Sequence, residues 1–407
     1  MLDRLEVVGI PAGGWPELGE SARQVITAAG VLIGGRRHLD LVRDQLSPDV
    51  PEVPWPSPLR PALPGLLETW SGHRIVVLAS GDPLVSGIGS TLIELLGSDA
   101  VRIHPAVSSV ALARARLGWP SDEVRTVSAV GRDLDLVRRH LAPAQKLVVL
   151  SAGADTPVAV AELLTDAGYG PSALTVLGDL GSEQEGRWDF TASEACGGYQ
   201  VDFPSLNIVA VHCCARVAAR ARLGSVPGLP DAAYDHDGQL TKRDLRASAL
   251  SRLAPVPGEL LWDLGAGAGS IAIEWSRTDP RCRAVAVEQE PVRSARVAAN
   301  AARLGVPGLE VVTAAAYEAL DRLPPPDAVF VGGGATLDLL DRCWSRLPIG
   351  GRLVAHAVTI ETEQVLIQAW QAYGGELTRI SVERLEPLGR LHGWTPARPV
   401  VQWAATA

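Results

Sequence analysis

Two glycine-rich turns, Gly81-Asp82-Pro83-Leu84-Val85-Ser86-Gly87-Ile88-Gly89 and Asp263-Leu264-Gly265-Ala266-Gly267-Ala268-Gly269, each follow an apolar, strand-like run and lead into a helical stretch. Glycine has no Cβ and tolerates positive φ, so such a turn lets the backbone itself approach a ligand at the end of a strand. The two turns are worded differently, which predicts two binding sites on unrelated folds within one chain. The length agrees, because 407 residues exceed one ordinary core at about 100–200 residues per domain.

From Leu5 to about Val211, β-branched runs (Leu5–Val8, Arg74–Leu78, Lys146–Leu150, Leu174–Leu177, Ile208–Val211) alternate with helical stretches such as Ser90–Leu96 and Val158–Ala167. This is an α/β pattern. Between Arg216 and Asp237 the chain turns Arg/Ala-rich and then turn-rich around Gly224–Pro230, which reads as a linker. The predicted division is an N-terminal α/β domain over 1–215, a linker over 216–233 and a second domain over 234–407. In the second domain a helix at Thr241–Leu253 precedes strand Leu260–Asp263, helix Ser270–Arg277, strand Arg283–Glu288 and helix Pro291–Leu304. Strands Glu310–Thr313, Ala328–Val331 and Gly351–Ala355 follow, giving a doubly wound, Rossmann-like parallel sheet. No internal repeat relates the halves.

Apolar residues make up 47% of the chain and charged residues 20%, and no run approaches the roughly 18 apolar residues of a membrane span. A soluble protein is expected, with no membrane partner. Met1 to Arg4 runs straight into a strand-like segment, leaving no room for a signal peptide, so the cytoplasm is the expected compartment. The five cysteines (Cys196, Cys213, Cys214, Cys282, Cys343) are odd in number and lack C-x-x-C spacing; they read as buried free thiols, with neither a disulfide framework nor a metal site. A net charge of -9 argues against nucleic acid. An anionic substrate must instead find a local basic pocket.

The second turn places its third glycine at Gly269, one residue earlier than the G-x-G-x-x-G of dinucleotide loops. S-adenosylmethionine (SAM) has no pyrophosphate to seat at the helix N-terminus, so this departure favours SAM over NAD. Glu288 ends the next strand, where an acid accepts hydrogen bonds from ribose hydroxyls. Upstream, Tyr234-Asp235-His236-Asp237-Gly238-Gln239-Leu240-Thr241-Lys242-Arg243 crowds polar groups before a helix, with Thr241 available as its cap. Lys242 stands out because the only other lysine is Lys146. Gly238–Lys242, Asp263–Gly269 and Gly332-Gly333-Gly334 together resemble the precorrin decarboxylating methyltransferases of cobalamin synthesis, over 234 to about 400. The resemblance implies SAM contacts from Thr241, Gly265, Ala266, Gly267, Ala268, Gly269, Glu288 and Ala316. It also implies a substrate border at Gly332, Gly333 and Gly334. That family commonly has an acid at the position of Ala315 and a proline at that of Tyr317.

In the N-terminal half, Val7–Gly14 and Val76–Pro83 place glycine turns after two strands, predicted to lie at one sheet edge. His104–Ser109 adds hydroxyls, and Val127–Arg132 adds a cation. Singly these are ordinary turn residues. Their order and wording resemble the tetrapyrrole (corrin/porphyrin) methylases, especially the C5-methylating precorrin members, over 5 to about 212. The resemblance implies SAM against Gly9, Gly81, Asp82, Ser108, Ser109 and Ala152. Pro11 stands where that family often has glycine, which removes a backbone donor.

The two resemblances in this order imply a fused cobalamin-pathway enzyme that uses one SAM per domain and no metal. It would methylate precorrin-6Y at C5 and C15 and remove the C12 acetate carboxyl, giving precorrin-8. C5 methylation falls to the N-terminal domain, and C15 methylation with decarboxylation to the C-terminal one. The proton donor that decarboxylation needs is sought among Lys242, His236, Arg243 and His356, each of which also fits a capping or surface role. Trp262, Trp275 and Trp394 fit either core packing or stacking on a macrocycle. The alternatives are one catalytic domain beside a tetrapyrrole-binding or channelling module, or a cobalt-containing substrate. A homo-oligomer is a further expectation from the resemblance.

Overall fold

The structure, a computed structural model, describes residues 4–198, 201–215 and 223–407. The first three residues, on which the expected absence of a leader rests, and 216–222 of the expected linker lie outside that set. The chain divides into two compact units, Met1–Leu134 with Pro143–Val217 and Asp135–Ala142 with Ala218–Ala407.

The N-terminal unit holds two five-stranded sheets. Strands β1 (Leu5–Ile10), β2 (Val31–Gly34), β3 (Glu52–Pro54), β4 (Ile75–Ser80) and β5 (Val101–His104) pair in parallel in the order β3-β2-β4-β1-β5. Side chains alternate across a strand, so a continuous apolar run marks one buried on both faces. Leu5, Val7, Ile33 and Val77 enter one core, while Val8, Ile10, Leu32, Val76 and Leu78 enter the core on the other face.

The second sheet contains β6 (Val124–Ser128), β7 (Lys146–Leu150), β8 (Ala173–Gly178), β9 (Gly186–Thr191) and β10 (Asn207–His212), in the order β6-β7-β10-β8-β9. Only the β6–β7 pair is parallel. The predicted edge for the two glycine turns is found in the first sheet, where β1 and β4 are neighbours and Ile10 lies opposite Ser80.

In the C-terminal unit, β11 (Leu260–Leu264), β12 (Arg283–Glu288), β13 (Glu310–Thr313), β14 (Ala328–Val331) and β15 (Arg352–Ala357) form the expected parallel sheet. Two strands not foreseen, β16 (Glu376–Ile380) and β19 (Val400–Thr406), extend it antiparallel, giving the order β13-β12-β11-β14-β15-β19-β16. A separate hairpin, β17 (Glu383–Leu388) with β18 (Leu391–Pro396), carries the exposed Trp394. Strand order reverses between β12-β11 and β14, and such a switch point opens a crevice beyond the strands' carboxyl ends. Trp262 and Trp275 are fully buried in the cores on opposite faces of this sheet, and the Trp262 indole N–H donates to the Pro324 carbonyl at 3.0 Å. Both indoles are packing residues.

A buried ion pair fastens the start of this unit. Arg246 and Glu274 meet at 2.5 Å, with side chains 0% and 3% exposed. The Glu274 carboxylate also accepts the N–H groups of Gly228 and Leu229 and the Tyr234 hydroxyl. The stretch Gly228–Ala233, within the expected linker, is therefore held firmly, with Leu229 buried. Two smaller expectations are corrected. The helix after the linker runs Arg243–Leu253 with Lys242 at its N-cap and no side-chain cap, so Thr241 is not the cap; its carbonyl instead accepts from Arg246. Cys196 and Cys214 are exposed, unlike the other three thiols, and none of the five is in a disulfide.

Candidate active sites

In the N-terminal unit a cleft of about 360 Å³ opens where β1, β4 and β5 end. Gly81 makes the junction: its N–H donates to the Ile10 carbonyl at 3.0 Å, and its carbonyl accepts from Ala106 at 3.1 Å. Its φ is +51°, and a Cβ there would lie 2.9 Å from the Val107 carbonyl oxygen, so glycine is required. Asp82 Oδ1 accepts the Leu84 N–H at 2.9 Å, which folds the rest of the loop over. Ser108 caps the helix Ser109–Leu117 by accepting from the Ala111 N–H.

Gly81, Asp82, Ser108 and Ser109 all line the cleft, as expected. Gly9 and Ala152 are not among the lining residues. Gly9 lies behind the wall, where a Cβ would come 1.8 Å from the Gly81 carbonyl oxygen. The Ala152 N–H is taken by the Thr156 hydroxyl, and its neighbour Ser151 faces the cleft instead. The Pro11 carbonyl accepts the Gly14 N–H at 3.0 Å, so the first turn closes without a donor at position 11.

Sequence reasoning missed Arg37, His38, Trp55, Ser80 and Asn207, all of which line the cleft. Asn207 accepts from Ser151 Oγ at 2.5 Å and donates to the carbonyls of Gly153 and Pro204. The available signal was Gly34-Gly35-Arg36-Arg37-His38, a basic cluster immediately after an apolar run.

In the C-terminal unit the turn after β11 takes positive φ at Gly265 (73°), Gly267 (59°) and Gly269 (76°). The Gly267 N–H donates to Glu288 Oε2 at 2.8 Å and the Glu290 N–H to Oε1 at 3.1 Å, so the acid at the end of β12 is oriented by backbone. Each oxygen keeps a lone pair for a ribose hydroxyl. A Cβ at Gly267 would sit 2.9 Å from the Gln239 carbonyl oxygen, and one at Gly332 would sit 3.0 Å from that of Gly265. The segment containing His236, Thr241 and Lys242 and the Gly332-Gly333-Gly334 loop therefore converge on the glycine turn. Ala316 begins a short helix, Ala316–Ala319, after the strand next to β12. Such a backbone-lined cradle suits a nucleoside without a pyrophosphate.

His236 Nδ1 accepts the Gly238 N–H at 3.1 Å, while Arg293 and Arg296 pair with Asp237, lowering its pKa chiefly through the Arg293 hydrogen bond. Lys242 and Arg243 are exposed. His356 is different: buried at 5% exposure, it meets Gln402 at 3.0 Å and packs edge-on to Phe330. Desolvation lowers its pKa, so it is a neutral packing group and leaves the set of proton donors.

Asp263, at the root of the turn, accepts the Ala272 N–H at 3.0 Å. Burial pushes its pKa from 3.8 to about 7. The folded unit then retains a proton that the unfolded chain releases, so this stabilisation is full below pH 3.8 and is lost as pH rises towards 7. Asp263→Asn is expected to remove that loss. Denaturant melts of both proteins between about pH 4 and 8 should show the stability difference shrinking at low pH; a constant difference would contradict the assignment.

A glycine-turn crevice at the switch point of a Rossmann-like sheet, in a chain that also carries a tetrapyrrole-methylase-like unit, defines a methyltransferase with SAM as methyl donor. Residues 4–196 match the family described as Tetrapyrrole (Corrin/Porphyrin) Methylases, and residues 232–407 match the precorrin methyltransferase domain. The chain is 43% identical to a precorrin-6Y C(5,15)-methyltransferase [decarboxylating] of Sinorhizobium sp., over 99% of this chain and 96% of that protein. It is 42% identical to the protein of that name from Mycobacterium tuberculosis, over 98% and 99%. Among solved structures, the C-terminal domain of precorrin-6Y C5,15-methyltransferase from Rhodobacter capsulatus is 44% identical. It covers 45% of this chain and 100% of that one, with a TM-score of 0.44. The chain belongs to the decarboxylating precorrin-6Y C5,15-methyltransferases.

Proposed function

We propose that the two units divide one reaction sequence on metal-free precorrin-6Y, each with its own SAM. The N-terminal cleft methylates C5, while the C-terminal crevice methylates C15 and removes the C12 acetate carboxyl as carbon dioxide. The observation that carries this reading is the pair of separately built glycine cradles, at Gly81 and at Gly265–Gly269, each held in positive φ and each with a glycine whose Cβ would lie 2.9 Å from a backbone carbonyl oxygen, Gly81 against Val107 and Gly267 against Gln239.

When bound, SAM supplies an electrophilic methyl group. The protein's part is to orient the macrocycle's electron-rich meso carbon in line with that methyl and to exclude water. Ile10, Leu78, Val85 and Leu112 give the N-terminal cleft an apolar wall suited to this. In the C-terminal crevice Glu288 holds the ribose, the turn from Gly265 to Gly269 backs the nucleoside, and Gly332–Gly334 leaves room for the ring. Loss of the carboxyl leaves an electron pair that the conjugated macrocycle accepts, and a proton must then be delivered. His236 and Lys242 are the candidates for that delivery or for holding the departing carboxylate; what supports them is that Gln239, between them in the chain, packs its carbonyl against Gly267 of the turn. Arg243 is the neighbouring cation.

Calorimetric titration of the full chain with SAM tests the count. Two equivalents per chain are expected, with one lost in Gly81→Val and the other in Gly267→Arg. A single equivalent that only one of these variants abolishes would show that the second unit is a tetrapyrrole-binding or channelling module.

A further inference from the structure

The cleft of the N-terminal unit has a basic corner that neither the glycine turns nor the hydroxyls account for. Arg37 follows β2 and Trp55 follows β3, and both line the cleft. Strand order β3-β2-β4-β1-β5 puts them on the flank beyond β4, away from the β1 and β5 turns where Ser108 and Ser109 lie. An indole and a guanidinium lining the same flank suit a flat conjugated ring with acidic arms.

The local hydrogen bonding fixes the guanidinium without neutralising it. Arg37 Nη2 lies 3.1 Å from His38 Nε2 and 3.4 Å from Ser80 Oγ, and those two atoms are 2.8 Å apart. A guanidinium only donates, so His38 Nε2 accepts and the imidazole proton sits on Nδ1. The Ser80 hydroxyl shares the single Nε2 lone pair with Arg37 Nη2, and its oxygen offers a lone pair to Arg37. Burial, followed by the Arg37 charge, lowers the His38 pKa to about 4, so the imidazole is uncharged at neutral pH. Asp179 acts on Arg37 through its field, while the bonds to His38 and Ser80 leave from Nη2 alone. The N–H groups on Nη1, and the one on Nε at the opposite edge, have no protein acceptor among the described residues and remain to donate to a carboxylate.

We propose that Arg37, positioned by His38 and Ser80, anchors a carboxylate arm of the tetrapyrrole in the N-terminal cleft and so sets which meso carbon faces the methyl donor. This rests on the reading that C5 methylation occurs in that cleft. SAM also carries a carboxylate, on its methionyl end, and the flank position beyond β4 is what assigns Arg37 to the macrocycle.

The test uses the full chain, metal-free precorrin-6Y and SAM under anaerobic conditions, comparing wild type with Arg37→Met and Arg37→Lys. For C5 methylation, Arg37→Met should raise KM for the tetrapyrrole by about ten- to a hundredfold, the loss of a charge-assisted hydrogen bond. KM for SAM should stay within about twofold of wild type. C15 methylation and decarboxylation on the same chain should be unchanged, and the retained KM for SAM in C5 methylation reports that the N-terminal cleft is folded. Arg37→Lys should recover part of the loss, because it restores the charge without the guanidinium's spread of N–H donors. An unchanged tetrapyrrole KM in Arg37→Met overturns the proposal, and so does a rise in KM for SAM instead. Gly81→Val, run in parallel, separates the two layers: if it keeps full C5 methylation, the cleft itself is misassigned and the anchor's failure has that cause.

Discussion

Glu274→Ala is expected to lower the stability of the C-terminal unit by about 3–5 kcal/mol, as for other buried ion pairs broken on one side. The carboxylate collects the Arg246 Nε at 2.5 Å, the Gly228 N–H at 2.5 Å, the Leu229 N–H at 3.0 Å and the Tyr234 hydroxyl at 2.8 Å. Its removal strands a guanidinium whose side chain is 0% exposed and leaves two backbone donors without their acceptor. Asp231, 3.2 Å from Arg246, compensates only in part, because it is more exposed than Glu274. The functional result follows from position. The segment held by Glu274 leads directly into His236–Lys242, so C15 methylation and decarboxylation should fall with stability while C5 methylation persists. Urea unfolding followed alongside the two activities checks this; a shift below about 1 kcal/mol, the scale of a surface pair, would contradict a structural role for the node.

Gly9→Ala should do the reverse. The added methyl would lie 1.8 Å from the Gly81 carbonyl oxygen and 2.8 Å from the Ala106 nitrogen. Both are backbone atoms, so no side chain can swing aside, and β1 must separate from the turns that build the cleft. Displacements of about 1 Å cost roughly a hundredfold in rate where geometry governs catalysis. C5 methylation should drop by at least that factor, with SAM binding to the N-terminal cleft weakened and the C15 reaction intact. Product analysis with limiting enzyme distinguishes the outcomes, and C5 methylation at the wild-type rate would mean that the close approach at Gly9 does not shape the cleft.

The parts of both sites that could be read from sequence are those where a local backbone demand selects the residue. Gly81, Gly265, Gly267 and Gly269 all have positive φ, and Glu288 follows from its place at the end of the next strand. Arg37, His38 and Ser80 were not legible because nothing local selects them. Arg37 and Ser80 are 43 residues apart, and they meet only because β2 pairs with β4. Strand β19 escaped notice for a related reason: it pairs antiparallel between β15 and β16, and pairing partners are not written in a strand's own pattern. Gly9 was read as a cofactor contact; it does not line the cleft, and a Cβ there would meet the Gly81 carbonyl oxygen, a close approach of two backbones that the sequence does not show. His356 looked available by residue type, and only the fold shows it against Phe330 and Gln402.

The central claim is that two independent sites share the chemistry, and the most direct measurement is the mass of the product formed anaerobically from metal-free precorrin-6Y and SAM. Wild type should add two methyl groups and lose carbon dioxide. Gly81→Val should still decarboxylate and add one methyl, at C15, whereas Gly267→Arg should lose decarboxylation and C15 methylation together. If either single variant abolished both methylations and the decarboxylation while the protein remained folded, the account of two separate active sites would be wrong.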